Sequence, residues 1–461
     1  MKLTAPRLAV GGLSGDAGKT LVALGLARAF SRRGLGVAPF KKGPDYIDSA
    51  WLGEAARRPG RNLDTFLMGD AQLGRALATA EGSDLVVVEG NRGLFDGADA
   101  RGTHSTAELA KRLAAPVLLV VDVRKATRTV AALVLGCQAF DRDLRIAGVV
   151  LNRVATARQE RLVREAVERA TGIPVVGAIP LLRSTLFPDR HLGLVTAAEH
   201  PCRDEAIEGA ANAVEAHVSL ETVAAIAAAA PAVSFSDAPP PARGPSARVA
   251  VVRDEAFSFY YPENLEALAA RGAELLPVSA LAGEPLPDAD AVYVGGGFPE
   301  VHAARLAAAE GFLASLRRAR DRGVPIYAEC GGLMLLARTL TVDGRSHRMS
   351  GVLDLDVEQT RRPQGHGYAE GRIDRENPFF AEGEEIRGHE FHYSRVTGGD
   401  DARRTAVALG RGGGVAAGRD GVCHGSVFAS YVHVHAATSD AWADGLMAAA
   451  RGRERGRAQL N

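Results

Sequence analysis

Short apolar runs alternate with helix-length segments through the first half of the chain. Leu8–Val10, Leu85–Val88, Val117–Val121, Ile146–Leu151 and the shorter Val175–Ile179 read as strands. Between them, Leu21–Phe30 reads as the first crossover helix and Gln159–Ala170 as a later amphipathic one. Ala197–Ala230 reads as an interrupted helical stretch, its alanines favouring helix without marking a packed face. Such alternation predicts a mostly parallel sheet covered by helices on both faces.

The pattern breaks at SDAPPPARGPSAR, Ser236–Arg248, where prolines remove backbone donors and small polar residues offer little to bury. The expected division is a first domain over 1–235, a linker over 236–247 and a second domain over 248–461. Alternation then restarts. Arg248–Val252 reads as a strand, Pro262–Ala270 as a helix opened by proline, and Glu274–Pro277 as a short strand. Ala291–Val294 leads into a glycine turn, His302–Arg320 reads as a helix, and Pro325–Glu329 runs into Cys330. Leu353 to Val427 is expected to be richer in antiparallel strands and loops, and no short-period repeat is evident. The fold class is therefore α/β, in two successive domains.

Composition narrows the function. Lys plus Arg and Asp plus Glu number 55 each, so the zero formal charge argues against nucleic acid as a partner. RRAR at Arg317–Arg320 reads as a solvated helix face. Cys137, Cys202, Cys330 and Cys423 show neither metal-ligand spacing nor a disulfide framework. No apolar run approaches a membrane span, and MKLTAPRLAVGG moves into a strand without a signal-peptide layout. A cytoplasmic setting with no membrane partner is expected.

Two stretches carry chemistry. In LAVGGLSGDAGKTLVALGLARAF, a strand ends at Gly11 and Gly12, and Gly18-Lys19-Thr20 opens a helix. Phosphate oxygens need converging donors, which glycine backbone N–H groups, a helix start and a lysine supply. Leu13 stands where the usual pattern wants glycine, with Gly12 and Gly15 nearby. Gly12, Gly15, Asp16, Gly18, Lys19 and Thr20 are the expected nucleotide-binding residues. Thr20, Asp48 and Glu89 are the expected magnesium side, with Asp45 and Asp122 weaker candidates. Lys41 and Lys42 suit a phosphate or an acidic substrate. Asn152 suits either a purine edge or a loop cap.

The second stretch is YAECGG. Cys330 stands at a strand end before two glycines, as in a nucleophile elbow. Gly296 or Gly297 of AVYVGGGFPE, with Gly331, can supply oxyanion donors, and His433 or His435 of VFASYVHVH can take the thiol proton. A structural cysteine with unrelated histidines is the alternative.

GLSGDAGKT, FKKGPDYID, RNLDTFL, EGNRGLFDG, RHLGL, RDEAFSFYYPENL, YVGGGFPE, YAECGGLM, GHEFHYS and SYVHVH stand in order through nearly the whole chain. With them the chain resembles the cobyrinate a,c-diamide synthase family, including the hydrogenobyrinate a,c-diamide synthases. These are ATP- and glutamine-dependent amidotransferases of tetrapyrrole carboxylates. The resemblance implies a P-loop, dethiobiotin-synthetase-like parallel-sheet domain followed by a class I glutamine amidotransferase α/β domain. It implies ATP and Mg2+ as cofactors, and glutamine and a tetrapyrrole polycarboxylate as partners. The a and c acetates would be amidated through an acyl phosphate, with Lys19 acting on the phosphates. Cys330 corresponds to the glutaminase nucleophile and His433 to the residue that raises its nucleophilicity. Analogy with related synthetase domains suggests a homodimer.

Many class I glutaminases place glutamate two residues after that histidine; His435 stands there, leaving the third, orienting group open. Lys42, Asn91 and Arg92 depart from the commonest family forms, so the reaction is better constrained than the ring. Asp45, Tyr46, Asp48 and Leu63–Asp64 are expected to face it. The same chemistry on sirohaem or nickel-sirohydrochlorin is the alternative. A P-loop binding or partitioning protein would share GKT but have no use for Cys330.

Overall fold

The apolar runs of the first half become the strands of a seven-stranded, all-parallel sheet. Its order is Arg61–Leu63, Val37–Lys42, Leu85–Glu89, Arg7–Gly12, Val117–Asp122, Ile146–Val154, Val175–Pro180. All five expected strands are present. The other two lack a hydropathy signal: Val37–Lys42 carries Pro39 and ends in two lysines, yet is buried throughout, and Arg61–Leu63 is a three-residue edge strand. The computed structural model describes residues 1–182, 187, 189–190, 193–236 and 246–458. Most of the expected linker, and His191 and Leu192 of RHLGL, lie outside the described residues. The chain divides into two units, Met1–Ala238 and Pro239–Asn461.

In the first unit, helix Lys19–Arg32 packs on helix Arg203–His217. Gly25 permits the approach, since a Cβ there would lie 2.4 Å from Val214 Cγ2 and 2.6 Å from the Ala210 carbonyl oxygen. The alanine-rich stretch divides into Arg203–His217 and Leu220–Ala228, where Ser219 caps the second helix through a bond from the Thr222 N–H. Because the sheet is parallel, Gly12, Lys42, Glu89, Asp122 and Asn152 all reach its carboxyl edge, where such folds bind ligands.

The second unit holds a ten-stranded mixed sheet. Ala273–Val278, Ala247–Val252, Ala291–Val294, Ile326–Glu329 and Val427–Ser430 run parallel. Arg419–His424, Thr405–Arg411, Gly365–Ile373, Glu385–His392 and His433–Val434 extend it antiparallel. Thr339–Val342, Arg345–Arg348, Asp356–Gln359 and Ser394–Gly398 form a separate small sheet. The expected helix over His302–Arg320 is two helices, Ala303–Ala308 and Glu310–Asp321, parted at Ala309 with ψ of 50°. No helix among the described residues is long and apolar enough to cross a membrane.

Candidate active sites

The first site grows from the turn after strand Arg7–Gly12. Gly18 has φ of +97°, a left-handed conformation that glycine adopts without strain, and it starts helix Lys19–Arg32. Gly18 also admits Asn152, whose Nδ2 would lie 2.0 Å from a Cβ there. Asn152 Nδ2 donates to the Ala17 carbonyl at 2.9 Å, and its Oδ1 accepts from the Arg153 N–H at 2.9 Å. The carboxamide thus braces the loop from beneath. Arg153 Nη1 holds the Asp16 carbonyl at 2.7 Å, while Ser14, Gly15 and Asp16 stay exposed at the crown. Lys19 Nζ curls back to the Ser14 and Gly15 carbonyls at 2.7 and 3.1 Å. Burial, then the charge of Lys41, lowers its pKa to about 8.

Below the loop, Lys41 Nζ is bound to Asp48 Oδ2 at 2.5 Å, Glu89 Oε1 at 3.0 Å and the Gly90 carbonyl at 3.2 Å. Burial works against its charge, but Asp48 and Glu89 outweigh it and raise the pKa above the ordinary lysine value. Thr20 Oγ1 donates to Glu89 Oε1 at 2.7 Å. Burial raises the Glu89 pKa, and its Oε2 is buried with no hydrogen-bond partner among the described residues. Thr20, Asp48 and Glu89, expected together from the sequence, do converge. No cluster of three or more His, Cys, Asp or Glu forms a cage among the described residues. Magnesium does not ask for one: it takes one or two carboxylates, keeps waters and shares phosphate oxygens. A hydroxyl, two carboxylates and an unsatisfied buried oxygen fit that demand.

The other candidates are differently employed. Asp45 caps helix Tyr46–Ala56 through the Ile47 and Asp48 N–H groups, both at 2.9 Å, and burial followed by repulsion from Asp48 lifts its pKa to about 7. Asp122 is held by Arg124 and Arg153. Asp64 accepts from the Phe66 and Leu67 N–H groups at 2.7 and 3.0 Å and lies 3.8 Å from Lys42.

The second site forms where strand Ile326–Glu329 ends. Cys330 has φ of +47° and ψ of −99°, a strained backbone for a residue with a side chain. Its N–H is tied to the Ser430 carbonyl at 2.7 Å. The two following glycines have a steric reason. A Cβ on Gly332 would lie 2.5 Å from the Val294 carbonyl oxygen, and one on Gly331 3.0 Å from the Gly297 nitrogen. The Gly331 backbone is thereby set against the Gly296–Gly297 turn. Tyr260 secures that turn by accepting from the Gly295 N–H at 2.7 Å and donating to the Val252 carbonyl. Burial, then the nearby charge of Glu300, pushes the Cys330 thiol above its ordinary pKa, against the Gly331 N–H. At rest it holds its proton and needs a base.

His433 reaches the same turn. A Cβ on Gly296 would lie 2.4 Å from its Cε1. Asp420 fixes the approach by accepting from Ser430 Oγ at 2.7 Å and the Val432 N–H at 3.0 Å. Asn264 fixes the exit, donating to the Val434 carbonyl at 2.8 Å and accepting from the Ala436 N–H at 2.7 Å. The ring stacks on His389, centroids 4.9 Å apart, across an antiparallel pairing. His435 lies elsewhere: fully buried against Tyr261 at 4.3 Å, it accepts from the Ala437 N–H at 3.0 Å. Burial lowers its pKa to about 3. The structure therefore separates two histidines that the sequence left as alternatives. Sequence reasoning missed Asn264 and Asp420; of the two, only Asn264 falls inside a quoted motif.

A phosphate loop on a parallel sheet and a cysteine elbow on a mixed one define a P-loop nucleotide-binding unit followed by a glutamine amidotransferase unit. Residues 8–191 match the CobQ/CobB/MinD/ParA nucleotide binding domain, and residues 248–441 the CobB/CobQ-like glutamine amidotransferase domain. The cobyrinate a,c-diamide synthase of Magnetococcus marinus is 44% identical over 95% of this chain and 96% of its own length. That of Methanothermobacter thermautotrophicus is 41% identical over 94% and 96%. The hydrogenobyrinate a,c-diamide synthase of Rhodobacter capsulatus is 41% identical over 93% and 98%. The chain belongs to the cobyrinate/hydrogenobyrinate a,c-diamide synthase family.

Proposed function

We propose that this glutamine-hydrolysing ligase uses ATP to amidate the a and c acetate carboxylates of cobyrinate or hydrogenobyrinate with ammonia from glutamine. The observation that carries this reading is the near end-to-end match to a cobyrinate a,c-diamide synthase, 44% identical over 95% of the chain. We assign residues 1–235 to the synthetase domain, 236–247 to a linker and 248–461 to the amidotransferase domain.

In the amidotransferase domain, His433 takes the Cys330 proton, and the thiolate attacks the glutamine side-chain amide. The tetrahedral oxyanion is held by backbone N–H groups of Gly297 and Gly331. His433 returns the proton to the departing ammonia, leaving a glutamyl thioester that water hydrolyses to glutamate. In the synthetase domain, a carboxylate is a poor electrophile toward ammonia and must first be phosphorylated. Lys19 leaves the Ser14 and Gly15 carbonyls for the phosphates, while loop N–H groups orient them. Thr20, Asp48 and Glu89 would hold magnesium, which when bound supplies charge neutralisation on the phosphate oxygens. Lys41 fixes Asp48 and Glu89 in place. Ammonia then displaces phosphate from the acyl phosphate and leaves the amide.

The test incubates the protein with ATP, magnesium, amide-labelled glutamine and a panel of tetrapyrroles, with amides counted by mass. A gain of two labelled amides on cobyrinate or hydrogenobyrinate supports the assignment. Turnover only of sirohaem or nickel-sirohydrochlorin overturns it. Cys330→Ala is expected to abolish glutamine-driven synthesis and keep ammonia-driven synthesis; normal glutamine-driven activity would remove Cys330 as nucleophile.

A further inference from the structure

We infer that Glu329, the residue immediately before the nucleophile, is the carboxylate that orients His433. This rests on the Cys330–His433 assignment and supplies the group that His435 does not. Glu329 ends strand Ile326–Glu329 and is fully buried. Its Oε2 lies 3.6 Å from His433 Nδ1, within ion-pair range and longer than a formed hydrogen bond. Such contacts tighten when substrate closes a site. With Nδ1 facing the carboxylate, the neutral ring carries its proton there and leaves Nε2 as the base; as the ring becomes imidazolium, the charge is met at once.

The surroundings hold that carboxylate as an anion in one pose. Oε1 accepts from Tyr327 Oη at 3.1 Å and the Val434 N–H at 3.1 Å, and Oε2 accepts from Tyr293 Oη at 3.2 Å. Burial, then the Glu329 charge, raises the pKa of both tyrosines, so they remain donors. The Val434 bond ties the carboxylate to the residue after His433, so one side chain fixes both the ring and its backbone. Two other buried acids of this unit are committed elsewhere. Asp420 is filled by Ser430, Tyr431 and Val432. Glu390 accepts from the Gly413 and Gly414 N–H groups and faces His392 at 3.5 Å.

A purely structural Glu329 would make the same tyrosine and backbone bonds, so the test must read the imidazole. Among the titratable groups against the ring, His389 is kept neutral by burial with Tyr261 Oη on its Nδ1 at 3.2 Å, and Glu329 faces Nδ1 at 3.6 Å. Glu329→Gln removes the carboxylate charge that stands 3.6 Å from Nδ1. Glutaminase kcat is expected to fall by about 10²–10⁴-fold, with KM for glutamine changed less than about threefold. The acid limb of the kcat/KM profile is expected to move down by about 1–3 pH units. Ammonia-driven synthesis should persist, showing a folded chain. Wild-type kcat, or a reduced kcat with an unmoved acid limb, overturns the inference. If the glutamine variant does not fold, Glu329→Asp keeps the charge on a shorter arm. It should lower kcat and leave the limb in place, and a shifted limb there overturns the inference. Cys330→Ala run alongside separates the two levels: retained glutaminase in that variant defeats the underlying assignment instead.

Discussion

Gly296→Ala places one methyl group against the proposed base. The new Cβ would lie 2.4 Å from His433 Cε1, 3.2 Å from Nε2 and 3.3 Å from Nδ1, and no heavy atom of the neighbours is nearer. Gly296 is not among the left-handed glycines, so its backbone admits alanine, and the cost falls on the contact. To recover ordinary van der Waals separation the imidazole must retreat by about 1 Å, a displacement that costs about 10²-fold where positioning limits the rate. That is about 2.7 kcal/mol of transition-state stabilisation. The ring is stacked on His389 and faced by Glu329, which leaves it little room to tip without breaking one of them. Glutamine-driven and ammonia-driven synthesis should be measured on the same preparation, with thermal unfolding as the fold check. The expected result is a hundredfold loss with glutamine, unchanged synthesis with ammonia, and the contrast absent in Gly410→Ala, where a Cβ meets open space. Glutamine-driven kcat within about threefold of wild type would show that His433 is not held where the base must stand.

Lys19→Ala should suppress synthesis with either nitrogen source by at least about 10²-fold, since loop charge acts on the phosphates and not on ammonia supply; an intact ammonia-driven rate would remove Lys19 from the mechanism. Because the free Lys19 pKa is lowered to about 8 by burial and Lys41, nucleotide binding at pH 9 should take up a proton that binding at pH 7 does not, read by calorimetry in buffers of different ionisation enthalpy. His435 is held neutral by burial with its pKa lowered to about 3, so its contribution to stability is complete above its unfolded value near 6.5 and is lost as pH falls toward 3. The free energy of unfolding measured in urea should therefore fall by about 1.4 kcal/mol per pH unit below pH 6.5, with a shallower dependence in His435→Asn. Gly332→Ala drives a Cβ to 2.5 Å from the Val294 carbonyl oxygen and should cost about 1–3 kcal/mol in chemical denaturation.

Five strands of the first sheet were legible because each carries a run of apolar residues buried on both faces. Val37–Lys42 hid for the opposite reason. Its lysines are buried with ion pairs to Asp48, Glu89 and Asp64, and hydropathy carries no mark of partners that arrive from other elements. The phosphate loop and the cysteine elbow were legible because each is local: strand, glycine turn and helix follow one another in the chain. The choice between His433 and His435 was not legible from spacing and came only from the family resemblance. Two residues apart in the chain, they differ in whether the neighbour is the Gly296 turn or Tyr261. That neighbour comes from segments more than a hundred residues away. Asp420 and Asn264 were missed because each acts by satisfying backbone groups of another segment, 12 residues on for Asp420 and 170 for Asn264, a role any buried polar residue can fill.

The two units also show why a buried glutamate at a strand end does not by itself declare its chemistry. Glu89 ends Leu85–Glu89 beside a P-loop, and Glu329 ends Ile326–Glu329 beside a thiol; both are fully buried. What separates them is the donor set. Glu89 receives one hydroxyl and one ammonium on the same oxygen and keeps the other unsatisfied, an arrangement that still wants positive charge. Glu329 receives two tyrosine hydroxyls and a backbone N–H spread over both oxygens, which stabilises an anion without a cation. The first arrangement suits an arriving metal ion and its phosphates. The second suits an imidazole that gains charge while it carries a proton between thiol and leaving group. Exchanging Tyr293 for Phe should therefore lower glutaminase kcat by about tenfold through a less well held Glu329 while leaving ammonia-driven synthesis unchanged. An unchanged glutaminase in that variant would mean that the hydroxyl does not help to hold the carboxylate.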